Sequence, residues 1–125
     1  MGDTNTSNIS ESPAALSPQR LTPTQRSAVI AVLRRYGVRR AGLFGSIVRG
    51  NARPGSDVDI LIQPPSTMSL FGFSELVLAL EDLLGRPVDL VTYASLQPRL
   101  RASLYAHYDQ LFTNDINEVR ANPTT

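Results

Sequence analysis

The sequence predicts an α/β (α+β) domain, a small mixed sheet of about three strands flanked by about four helices. Three observations predict it. Apolar runs of strand length at 38–44, 58–62 and 86–93 alternate with stretches whose apolar residues recur at helical spacing. The second and third runs are separated by one long amphipathic segment, the length that a right-handed crossover between parallel strands requires. Gly37, Gly85 and the Pro64-Pro65 pair fall where those elements should stop.

Taken in order, the chain begins with a segment rich in Ser, Thr, Asn and Pro, and residues 1–21 are expected to form a disordered tail. Thr22 then starts a helix. It is a good N-cap, Pro23 suits the first helical position, and Gln25 completes a capping box. Ala28, Val29, Val32, Leu33 and Tyr36 form its apolar stripe, and Gly37 ends it. Val38–Phe44 reads as the first strand. Met68–Leu84 is the long helix, with Leu70, Phe73, Leu76, Val77, Leu80, Leu83 and Leu84 expected on one face and Gly85 as its stop. Arg86–Tyr93 reads as the third strand and Ala94–Tyr105 as the last helix, with Pro98 in its first turn. Tyr108–Phe112 is apolar and short, either an edge strand or a helical continuation. The expected domain is therefore 22–112, with a flexible tail over 113–125.

The chemistry concentrates in Gly42–Ile62, GLFGSIVRGNARPGSDVDILI. Side chains alternate along a strand, so Asp57 and Asp59 point one way while Val58, Ile60 and Ile62 point into a core. Two carboxylates so close repel unless a cation lies between them. A hard divalent ion is the natural candidate, since Mg²⁺ takes carboxylate oxygens and keeps positions for water and phosphate. Upstream, Gly45 allows close backbone approach to a ligand, and a helix beginning near Ser46 would aim free amides at an anion. Arg49 lies one turn on and can pair with a phosphate oxygen. Phosphate binding beside metal binding points to phosphoryl or nucleotidyl transfer. Asp89 is the one acidic residue in the third strand; if that strand neighbours the second, Asp89 projects beside the pair. Three carboxylates suit two divalent ions.

Each feature also has a plainer reading. Gly45-Ser46 serves equally as a helix cap, and Asp57 and Asp59 as turn residues beside Gly55 and Ser56. Asp89 is compatible with a capped edge position and Arg49 with a solvated one. Arg53 and Ser56 read better as loop stabilisers than as catalysts, and His107 as a surface or packing residue.

The order and spacing of these residues resemble a known family. Gly45-Ser46, ten intervening residues and Asp57-x-Asp59 are similar to the motif of DNA polymerase β-like nucleotidyltransferases. The fuller pattern, Gly45-Ser46-x-x-Arg49-Gly50 and Ser56-Asp57-x-Asp59, resembles the minimal nucleotidyltransferase (MNT) branch. The resemblance spans roughly residues 25–112 and implies the nucleotidyltransferase fold. It implies that Asp57 and Asp59 hold Mg²⁺, with Asp89 as a third metal ligand and the base for the attacking hydroxyl. It implies that Gly45, Ser46, Arg49 and Ser56 bind the nucleotide's phosphates.

Composition narrows the class further. The 125 residues allow one domain. With no Cys and one His, His107, neither a disulfide framework nor a thiolate or multi-histidine metal site is available. No apolar run is long enough to span a membrane, and the N-terminus lacks a signal peptide's charge and apolar blocks, so a cytoplasmic protein is expected. A net charge of +1 gives no reason to expect direct nucleic-acid binding, although all 12 basic residues are Arg. Resemblance to the MNT branch implies a protein adenylyltransferase antitoxin. Such an enzyme transfers AMP from ATP to a tyrosine of a HEPN-type ribonuclease toxin, its partner. The alternatives are transfer to a small hydroxylated molecule such as an aminoglycoside, and an antitoxin that acts by binding alone.

Overall fold

The computed structural model describes residues 20–53 and 55–114. In chain order it contains α1 (Pro23–Arg35), β1 (Arg40–Phe44), α2 (Ser46–Arg49), β2 (Val58–Gln63), α3 (Leu70–Leu84), β3 (Val88–Thr92), a 3₁₀ turn (Tyr93–Ser95), α4 (Pro98–Tyr105) and β4 (Tyr108–Thr113). The sheet has four strands in the order β3-β2-β1-β4. β1 is antiparallel to both neighbours, while β2 and β3 are parallel and joined through α3. The parallel pair is the arrangement expected from the strand–helix–strand spacing.

Local rules account for most boundaries. The Thr22 hydroxyl accepts from the Gln25 amide at 3.1 Å, and the Gln25 side chain accepts from the Thr22 amide at 3.0 Å, so the capping box is complete. The Ser69 hydroxyl accepts from the Gly72 amide at 3.0 Å and starts α3 two residues later than the apolar pattern suggested. Gly85 closes α3 with φ 68°, a left-handed turn that glycine adopts without a Cβ penalty.

One face of the sheet carries the core. Ala41 and Leu43 of β1, Val58, Ile60 and Ile62 of β2, and Val88 and Leu90 of β3 pack with Val29, Val32 and Leu33 of α1 and Leu76, Leu80 and Leu84 of α3. Fully burying one such side chain contributes about 1.5–3 kcal/mol.

Four expectations need correction. The sheet has four strands rather than about three, because Tyr108–Thr113 pairs along β1 as an edge strand. The first and third strands are shorter than the apolar runs, at Arg40–Phe44 and Val88–Thr92. The helix expected over 94–105 is divided. Pro98 biases the preceding residue away from helical geometry, and Gln97 is extended at φ −73°, ψ 142°, so α4 begins only at Pro98. In α3 the buried stripe is Leu76, Leu80 and Leu84, while Leu70 is 82% exposed and Leu83 40% exposed. A stripe repeating every four residues uses one narrow helix face, which leaves Leu83 at its margin and Leu70 in the uncovered first turn. Of the expected tails, residues 1–19 and 115–125 lie outside the described residues. Leu21 packs against the core, and Thr113 ends β4.

Candidate functional site

The opposite face of the same strands carries the polar residues. β1 runs from Arg40 to Phe44 and leaves the sheet at Gly45, whose φ of 76° and ψ of −153° suit glycine alone. A Cβ at Gly45 would overlap the Asp59 carboxylate. The turn therefore passes its bare backbone directly against that acid. Antiparallel pairing of Phe44 with Asp59 sets this approach. Ser46 opens α2, a single turn in which the Val48 and Arg49 amides donate to the Gly45 carbonyl at 3.1 and 3.2 Å. The first amides of such a turn have no acceptor within it and face outward as donors. Arg20 donates from its guanidinium to the Val48 and Arg49 carbonyls at the other end of α2.

β2 and β3 bring the acids together by register. Val58 lies opposite Val88 and Asp59 opposite Asp89. The alternation that buries Val58, Ile60, Val88 and Leu90 sends Asp59 and Asp89 to the same opposite face. Asp57 precedes β2 on that face. Asp57 and Asp89 are exposed, whereas Asp59 is partly buried. Burial, followed by repulsion from Asp89 and then Asp57, pushes the Asp59 carboxyl up to about 6 from an ordinary 3.8. Attraction from Arg49 acts the other way and is the smallest influence.

All the expected carboxylates thus share one face and act on one another at Asp59. They are not gathered as a finished metal site: among the described residues no three acidic or histidine side chains form a ready cluster. The donor set still fits a hard divalent cation. It consists of carboxylate oxygens, it carries surplus negative charge felt at a partly buried acid, and the missing Cβ of Gly45 lets that acid lie directly against the turn.

Ser56 has a different setting from the other expected phosphate ligands. Its hydroxyl accepts from Arg86 Nη2 at 3.1 Å and its carbonyl from Arg86 Nε at 3.2 Å. This is the loop-stabilising reading of Ser56. Arg49 is exposed at the C-terminal end of α2, on the Asp59 side by its electrostatic influence.

Sequence reasoning missed a second group. The Tyr108 ring covers Gly42, where a Cβ would overlap it. The Tyr108 and Tyr93 hydroxyls share a short hydrogen bond, and the Arg40 guanidinium lies 4.1 Å from the centre of the Tyr93 ring. Tyr105 packs edge-on against Tyr108 at 4.7 Å between ring centres. Burial, the first cause for each, raises the Tyr93 and Tyr108 hydroxyls above the usual tyrosine range. Only the glycine at position 42, inside an apolar run, hinted that something large must sit over β1.

Comparison with known proteins agrees with this geometry. Residues 27–108 match the nucleotidyltransferase domain family. The protein adenylyltransferase MntA of Thermococcus cleftensis is 54% identical over 63 residues, which cover 50% of this chain and 64% of that protein. A solved structure described as a minimal nucleotidyltransferase superposes with a TM-score of 0.61 at 40% identity, covering 68% of this chain and 87% of the other. The MNT antitoxin structure in complex with a tri-AMPylated Shewanella oneidensis HEPN toxin gives a TM-score of 0.58 at 25% identity over 81% of both chains.

Proposed function

Because this chain belongs to the nucleotidyltransferase domain family and is a nucleotidyltransferase, we propose that it is a protein adenylyltransferase antitoxin. In this reading it moves AMP from ATP to a tyrosine of a HEPN-type toxin. The observation that carries the reading is the β2–β3 register. It sets Asp59 beside Asp89, with the bare Gly45 backbone against Asp59. A cradle beside paired acids is what a triphosphate and its counter-ions require.

Asp57, Asp59 and Asp89 would hold Mg²⁺, up to two ions, which when bound neutralises charge on the phosphates. The chain's own contribution is positioning. The amides after Gly45 and the Ser46 hydroxyl hold phosphate oxygens, and Arg49 pairs with another. The tyrosine oxygen attacks the α-phosphorus, the bond to the β-phosphate oxygen breaks, and pyrophosphate leaves. Asp89, the more exposed of the paired acids, accepts the phenolic proton. Most of the rate comes from orientation and charge neutralisation.

The relatives support this choice of acceptor through what they are named for: adenylyl transfer to protein in one, and an AMP-modified HEPN toxin held by an MNT antitoxin in another. The test is the intact mass of the HEPN protein co-expressed with this chain and, separately, with an Asp57→Asn/Asp59→Asn variant. A gain of one or more AMP units with the wild type alone is expected, with the modified tyrosine located by peptide mapping. A stable complex and full neutralisation without any mass change would replace transfer by binding.

A further inference from the structure

The acids in this site come from two strands and the loop that leads into one of them. Something must set the spacing between Asp57, which precedes β2, and Asp89, which lies in β3. One side chain spans that gap. Arg86 stands just before β3, and its guanidinium donates to acceptors along the facing loop. Nε reaches the Ser56 carbonyl at 3.2 Å, while Nη2 reaches the Arg53 carbonyl at 2.9 Å and the Ser56 hydroxyl at 3.1 Å. Ser56 is the residue before Asp57, and Asp89 follows Arg86 by three.

The start of β3 is fixed in turn from the other side. The Glu81 carboxylate of α3 accepts from the Val88 amide at 3.0 Å, and the Val58 amide donates to the Pro87 carbonyl at 2.9 Å. Arg86 is therefore anchored by its own backbone neighbours and reaches across to the loop. The planar fork matters, because several donors in one plane can hold acceptors along a loop in a fixed order, which a single ammonium cannot.

We propose that Arg86 is a positioning residue that sets Asp57 relative to Asp89 and so preorganises the carboxylates for a divalent cation. The proposal rests on the reading of Asp57, Asp59 and Asp89 as cation ligands. It assigns Ser56 to the same device. The Ser56 hydroxyl serves the loop through Arg86, so its contribution to nucleotide binding is indirect. Groups that orient metal ligands without touching the metal commonly change affinity by roughly 10–100-fold when removed.

The test measures Mn²⁺ binding to the full chain by electron paramagnetic resonance, without nucleotide, alongside thermal melting. Arg86→Met is expected to raise the Mn²⁺ dissociation constant roughly tenfold. Arg86→Lys should recover only part of the loss. Both proteins should be fully folded at the temperature of the titration, a state that lost stability alone leaves with wild-type affinity. Wild-type Mn²⁺ affinity in Arg86→Met overturns the proposal. If that variant does not fold, Arg86→Lys decides, and wild-type affinity there overturns it. The underlying reading has its own control. Mn²⁺ binding that is unchanged by Asp57→Asn/Asp59→Asn removes the cation site, and the role of Arg86 with it. Loss of binding in that control with no effect at Arg86 removes the role of Arg86 alone.

Discussion

β2 has two faces, and they follow opposite rules. On the helix-covered face Val58, Ile60 and Ile62 are fully buried among aliphatic neighbours from α1 and α3. On the other face Asp57 is exposed and Asp59 is partly buried beside Asp89, at an ionisation cost. The first face lowers the free energy of the folded chain, while the second raises it and holds charge where a ligand can use it. The comparison teaches that Asp59 and Ile60, one position apart in one strand, should respond in opposite senses to substitution.

The largest effect should come from the acidic face. Asp59→Asn removes a charge and keeps the shape. AMP transfer is expected to fall at least a hundredfold, since transition-state charge stabilisation of this kind is worth several kcal/mol. Transfer at the wild-type rate would remove Asp59 from the site. On the neighbouring position, Ile60→Ala should cost about 2–5 kcal/mol through lost burial and a cavity, measured by urea unfolding. Its transfer rate should stay near wild type while the protein is folded. If both variants lose stability alike, the division between faces does not hold.

Gly45→Ala tests the seam between the faces. The alanine must adopt φ 76°, and its methyl group overlaps the Asp59 carboxylate. A strained backbone of this type costs roughly 1–3 kcal/mol. Expected are a lower melting temperature and a loss of nucleotide binding, read by titration with a non-hydrolysable ATP analogue. Intact nucleotide binding would show that the turn does not approach the phosphates.

This seam was legible from sequence, and the reason is instructive. Gly45, Asp57, Asp59 and Asp89 lie in apolar strands or beside them, where period-two alternation fixes direction and where an acid or a glycine conflicts with its surroundings. The same alternation foretold the core residues of β2, and the strand–helix–strand spacing foretold the parallel β2–β3 pair. Arg86 and Tyr108 were not legible. Arg86 acts through carbonyls contributed by Arg53 and Ser56, and no local pattern encodes an acceptor thirty positions away. Tyr108 covers Gly42 only because β4 joins the sheet as its edge, which a short apolar segment near the end of the chain leaves undetermined. The exposure of Leu70 was missed for a related reason, since periodicity marks a helix face without saying how far along it the sheet extends.

A smaller effect concerns pH. The Asp59 carboxyl is raised from 3.8 to about 6, so the folded state binds its proton more tightly than the unfolded chain does. The resulting cost to stability is fully present above about pH 6, shrinks as pH falls from there towards 3.8, and is absent below. In metal-free buffer Asp59→Asn should therefore be more stable than wild type by roughly 1 kcal/mol at pH 7.5, solvent screening of this half-exposed acid reducing the full effect of the shift. The two proteins should converge near pH 4. Parallel melting curves across that range would show that the acid carries no such penalty. Added Mg²⁺ should raise the wild-type melting temperature and not that of the variant, which separates ligand binding from repulsion.

The smallest expected effect lies far from the acids, where only the covered face is involved. Thr22 caps α1 through a single reciprocal pair of bonds with Gln25. Thr22→Ala removes the hydroxyl acceptor and leaves the Gln25 amide to water, at about 1 kcal/mol. In a domain of this size that should lower the melting temperature by about 4–8 °C. α1 packs beneath the sheet through Val29 and Leu33, and the cap hydroxyl itself bonds only within the first turn of α1. Mn²⁺ affinity and transfer at 25 °C should therefore match wild type. A cap variant that lost Mn²⁺ affinity while still folded would mean that the covered face sets the geometry of the acids, and the two faces would have to be treated as one.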